Sequence, residues 1–69
     1  MTILILENSV NVTVECTRIL TRIVRMLDST SLEWCTVSDT SVVIFGKKEL
    51  LYELLLELTK IYLGKIEII

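Results

Sequence analysis

The chain has 69 residues, a formal net charge of −2, and neither proline nor histidine, which bounds it to one small domain. So slight a charge argues against a nucleic-acid mimic and against general affinity for a phosphate backbone, and the lack of histidine removes the commonest general base and zinc ligand. A domain this short buries only about 60% of the surface its unfolded chain exposes, yet 52% of its residues are hydrophobic, so further burial by self-association or by a partner is expected.

No window approaches about 18 uninterrupted apolar residues, so no membrane span is read. The opening MTILILEN lacks the basic region and cleavage site of a secretory signal. The expected location is the cytoplasm. A chain that starts at Met1 and ends flush with its last predicted strand reads as a complete small open reading frame, of the kind that viruses and mobile elements encode.

Met1–Glu7 reads as a strand with Ile3 and Ile5 on one face and Leu4 and Leu6 on the other. Apolar on both sides, it should be central in a covered sheet. Asn8-Ser9 breaks the run. Val10–Asp28 opens with strand periodicity, since Val10, Val12 and Val14 alternate with Asn11, Thr13 and Glu15; a hairpin turning at Asn8-Ser9 would produce this. A helical template accounts for more residues. Val12, Cys16, Ile19, Leu20, Ile23, Val24, Met26 and Leu27 fill one arc, with Arg18, Thr21, Arg22 and Arg25 opposite. The expectation is a helix from about Asn11 to Asp28, capped by Asn11 or Ser9 and weakest in its β-branched first turn.

Ser29–Ser31 is a polar loop, and Leu32–Val37 a strand of mixed faces. Ser38-Asp39-Thr40 suits a hairpin turn into Ser41–Phe45, a second strand apolar on both faces. Lys47–Leu63 is the clearest helix. Leu50, Leu54, Leu58 and Ile61 form its core stripe, with Leu51, Leu55 and Tyr62 along the flank. Glu49, Glu53 and Glu57 make an acidic stripe, and Tyr52, Leu56, Thr59 and Leu63 lie opposite the core. Gly64 provides a C-terminal stop, and Lys65–Ile69 a last strand with Ile66 and Ile68 on one face.

The order strand–helix–strand–strand–helix–strand gives an α+β domain. Two right-handed crossovers then make a ferredoxin-like βαββαβ sandwich: an antiparallel four-stranded sheet, order 4-1-3-2 in predicted strands, with both helices on one face. MTILILE and SVVIF become the central strands, which fits their two apolar faces. The helix-free face should then expose Leu4 and Leu6 (or Ile3 and Ile5) beside Val43 and Phe45 (or Val42 and Ile44). At about 25 cal/mol per Å² its burial is favourable, most simply in a two-fold homodimer. Pairing through the edge strands Leu32–Val37 or Lys65–Ile69 is the other route. Trp34, on an edge strand, would be core or contact.

No motif carries catalysis, and no cofactor or metal is expected. Cys16 and Cys35 form no CxxC pair and are expected as buried thiols, joined only if their side chains meet. The expected function is a non-enzymatic protein–protein interaction, in a homodimer or in an inhibitor or adaptor of a larger protein. The contact candidates are Leu4, Leu6, Trp34, Val43, Phe45, Tyr52, Leu56 and Leu63. A nucleic-acid reading would use Arg18, Arg22 and Arg25 on phosphates, though the glutamate stripe of the second helix should neutralise them and no aromatics interleave. A third expectation is a module that senses a small ligand such as an amino acid at the loop after the first strand, since amino-acid-binding regulatory modules resemble the chain in length and strand order. Their ligand loop carries glycine, where this chain has Glu7-Asn8-Ser9.

Overall fold

The computed structural model describes every residue from Met1 to Ile69. It is an α+β domain in which two helices pack on an open, mixed, five-stranded sheet. The elements run β1 (Thr2–Ile5), β2 (Ser9–Thr13), α1 (Thr17–Asp28), β3 (Glu33–Ser38), β4 (Ser41–Phe45), α2 (Lys48–Ile61) and β5 (Glu67–Ile68).

The expected four strands are thus five, and the order is β3-β4-β2-β1-β5. The difference lies in Val10–Glu15, where the chain is in β2 up to Thr13 and reaches no helix before Thr17. Four of the five residues Val10–Val14 are β-branched, a composition stiff in a helix and well packed on a pleated surface. β2 folds back on β1 in a two-residue hairpin. Ile5 pairs with Val10, and the Leu6 amide donates to the Ser9 carbonyl at 2.9 Å around Glu7-Asn8. That turn has no glycine and no residue at positive φ, so it lacks the usual hairpin signal. α1 then starts at Thr17 with Cys16 as N-cap, not Asn11 or Ser9, and no side chain caps it. Its far end is closed by hydroxyls: Ser29 Oγ donates to Met26 O and Thr30 Oγ1 to Leu27 O, both at 2.7 Å.

The pairings fix the strand directions. β1–β2, β2–β4 and β4–β3 are antiparallel, whereas β5 lies parallel to β1. β2 and β3 therefore point the same way with β4 between them, and α1 crosses over β4. Likewise β4 and β5 point the same way, and α2 crosses over β2 and β1. The antiparallel neighbour expected for the last strand is replaced by a parallel one, because β2 separates β1 from β4. Glu67 N–H donates to Met1 O at 2.8 Å and Ile69 N–H to Ile3 O at 2.9 Å.

One sheet face is dry. Ile3, Val12 and Val42 align in one row and Val10 and Ile44 in the next, and all five are buried. Leu20, Ile23 and Leu27 of α1 and Leu51, Leu54 and Leu58 of α2 cover them in a single core of 14 residues that also takes in Met1, Val14 and Leu32. In α2 the buried stripe is turned toward Leu51. Leu50, expected inside, is half-buried, and Ile61 is exposed because it faces the cleft between the helices. Gly64 sits at φ 77°, the left-handed backbone expected of a stop, though α2 ends earlier, at Ile61.

This rotation of α2 is measurable in urea unfolding. Leu58→Ala, at a fully buried position, should cost about 2–5 kcal/mol, enough to unfold much of so small a domain. Ile61→Ala should change stability by about 0.5 kcal/mol or less. Equal losses at the two sites would contradict the burial pattern.

Candidate interaction surfaces

The helix-free face is built by strand alternation. Its central row runs Leu4, Asn11, Val43, Cys35 across β1, β2, β4 and β3. One neighbouring row is hydroxylic, with Thr2, Thr13, Ser41 and Ser38; Thr13 Oγ1 and Ser41 Oγ lie 3.5 Å apart. The other holds Ser9, Phe45 and Glu33. Leu4 and Val43 are half-buried, and Phe45 is 41% exposed. Of the alternatives read from sequence, Leu4 with Val43 and Phe45 is therefore the pair that faces outward. Leu6 lies past the end of β1 and is exposed beside a cavity rather than within the paired face. Trp34 pairs with Ile44 and packs, half-buried, against the core, so it belongs to the covered face.

β2 runs down the middle of this face and makes it less apolar than two adjoining hydrophobic strands would. Ser9, Asn11 and Thr13 are its outward residues. Asn11 Oδ1 is buried without a hydrogen-bond partner. No position on this face was harder to identify from sequence than Asn11, which a helical reading places at a cap. The Val10/Val12/Val14 alternation was the signal for it.

The outer faces of the helices differ sharply. On α1 the residues opposite the buried Leu20/Ile23/Leu27 stripe are Arg18, Arg22 and Arg25, all exposed. On α2 they include Tyr52 and Leu56, 61% and 62% exposed, beside Glu49, Glu53 and Lys60, and the apolar ridge continues to Leu63, 78% exposed, in the turn beyond the helix. Cross-helix Arg–Glu pairing is absent. The ion pairs are Lys60–Glu57, at 3.8 Å on the surface of α2, and the Met1 ammonium with Glu15. The reason is spatial. A cleft of about 630 Å³ separates the helices, with Glu53 and Glu57 on its rim and Met26, Leu50, Leu54 and Ile61 on its walls, while the arginines point away from the sheet. The Met1 ammonium also donates to Lys65 O at 3.0 Å, and its hydrogen bond to Glu15 holds that carboxyl below the usual glutamate range.

A second, smaller cavity of about 120 Å³ lies between the Glu7 hairpin and the first turns of α2, lined by Ile5, Leu6, Val10, Lys48, Tyr52 and Leu55 among others. It borders the loop at Glu7, and it falls below the roughly 300–1,000 Å³ of ligand pockets. That loop joins two strands here, not a strand to a helix. No three His, Cys, Asp or Glu side chains gather in metal-binding geometry. No helix is long and apolar enough to cross a membrane. Comparison with protein-family models, with curated proteins and with solved structures returns no match to this chain.

The cysteines depart from expectation: both are free and exposed. Cys16 occupies the N-cap of α1, and Cys35 the outward row of the edge strand β3. Both thiols should react with an aromatic disulfide reagent in the native protein about as fast as after unfolding. Protection of either by several orders of magnitude would show that it is covered.

Proposed function

We propose that this chain is a small non-enzymatic interaction protein that docks a protein partner on the helix-free face of its sheet. The observation that carries the reading is the makeup of that face. Leu4, Val43 and Phe45 surround a polar centre in which Asn11 Oδ1 lacks a hydrogen bond. Apolar side chains and a polar group that lacks its hydrogen bond are both completed when a partner covers them. An unmade buried hydrogen bond costs about 1–3 kcal/mol, and rotation of the Asn11 amide would offer that oxygen to a donor on a partner. A second copy in a homodimer, or a larger protein in an adaptor or inhibitor role, would supply such cover. Exposed apolar surface elsewhere supports the same class of function, since a chain of this size hides only part of its hydrophobic residues. The reading uses no cofactor and places the protein in the cytoplasm.

The two split crossovers also support a relation to the ferredoxin-like plan. With β1 left out, β5, β2, β4 and β3 follow the order 4-1-3-2, and β1 is an extra strand inserted between two of them. Such a relation assigns no function by itself.

Affinity capture from the native host with the wild type and with Val43→Lys tests the docking face. A protein recovered by the wild type and lost with the folded variant is the expected result. Identical recoveries would rule out that face.

A second reading is favoured by one observation: Arg18, Arg22 and Arg25 carry no counter-charge in an ion pair. Three such guanidinium groups on one helix face could contact phosphates. Heparin retention at low salt that disappears in Arg18/Arg22/Arg25→Ala would support it, and elution of the wild type in the void volume would end it.

A further inference from the structure

We propose that the outer ridge of α2 is a self-association surface whose occupant is α2 of a second copy, laid antiparallel across a two-fold axis. This deepens the interaction reading and rests on it.

Within α2 the ridge is made of Tyr52, Leu56 and Thr59, in steps of four and three, and Leu63 follows it in the turn beyond the helix. Such steps are the spacing of a seam between two helices, and the ridge runs on the side of α2 away from Leu51, Leu54 and Leu58. A helix with apolar residues on both sides is normally covered on both sides. α1 shows that this fold does not require such a ridge, since the same side of α1 carries arginines.

Two features fit the ridge to a copy of itself. The polar member of the seam is already satisfied: Thr59 Oγ1 donates to Leu55 O at 2.8 Å, which turns its hydroxyl inward to its own helix. Leu56 of the partner copy can therefore pack on Thr59 without stranding a hydroxyl. The charges along one flank are also self-complementary. That flank carries Glu49 and Glu53 in the first half of the helix and Lys60 in the second. In an antiparallel pair each flank meets the same flank of the other copy, so Glu53 lies alongside the other copy's Lys60, and the two-fold repeats the contact. The present partner of Lys60 is Glu57, at 3.8 Å and fully in solvent, an interaction too weak to hold it back. A parallel pair would instead set Glu53 beside the other copy's Lys48, but it would align the two helix dipoles, which the antiparallel pair opposes. The ridge and the helix-free sheet face lie on opposite sides of the domain, so pairing through α2 leaves the docking face open.

Sedimentation equilibrium from about 1 to 200 μM tests this with the full chain. The wild type should dimerise, and Leu56→Glu, at an exposed site, should give a folded monomer. Glu53→Lys and Lys60→Glu should each weaken dimerisation about tenfold, and the double variant Glu53→Lys/Lys60→Glu should restore it. Val43→Lys should dimerise like the wild type. A wild-type monomer of 7.9 kDa throughout would overturn the α2 pairing. If that monomer still captured a partner through Val43, the interaction reading would stand. A dimer that survives Leu56→Glu and is lost with Val43→Lys would place the second copy on the sheet face. A dimer that the double variant fails to restore would overturn the antiparallel arrangement.

Discussion

The hydrogen bonding of β2 on both its edges is the constraint on which the rest of the fold depends. Val10 and Val12 each pair with β1 on one side and with β4 on the other, and both are buried. A strand held in this way has its backbone groups satisfied without any side chain, so a run of valines with no capping residue can occupy the centre of the domain. It also sets the order of the strands around it. α1 joins β2 to β3 across β4, and because β2 separates β1 from β4, α2 spans both β2 and β1 to carry β5 to the far side of β1. Both helices land on the side where Val10 and Val12 point, which decides that the Asn11 side stays bare.

The division of labour between the faces follows from there. The dry side uses nearly all the strongly apolar positions that can be reached by two helices. What is left over goes to three places: a sparse sheet face with a polar centre, the cleft between the helices, and the back of α2. These are not equivalent. Strand alternation ties Leu4 and Val43 to their places, since their neighbours must point inward. Nothing in the packing of α2 demands Leu56 or Leu63 on its outer surface, and polar residues would serve the helix as well.

Much of the fold was legible in the sequence, and the parts that were not share a physical cause. Periodicity over many residues located α2, most of α1, and the β3–β4 hairpin, with Gly64 beyond α2 in the left-handed region. The exception is Val10–Glu15, where six residues of two-fold alternation run into twelve of helical period, and a longer pattern absorbs a shorter one. The turn before it gave no help, because Glu7-Asn8 bends without glycine. One misplaced strand then changed the sheet order and supplied Asn11 to the open face, although Leu4, Val43 and Phe45 were already identifiable as outward candidates. The exposed cysteines and the unpaired arginines were not legible at all. Both depend on the distance between elements, which sequence period does not encode.

The edges of the sheet close off a different kind of encounter. One rim is β5, with only two paired residues. The other is β3, where the ladder to β4 is interrupted between Thr36 and Ser38, leaving Val37 as an extra residue. A bulge of that kind twists the rim out of plane, and short or bent rims make poor templates for another chain's backbone. Lateral growth, one molecule adding its strands to the next as in fibril formation, is therefore disfavoured at both ends, at one rim by a strand of two residues and at the other by a bulge.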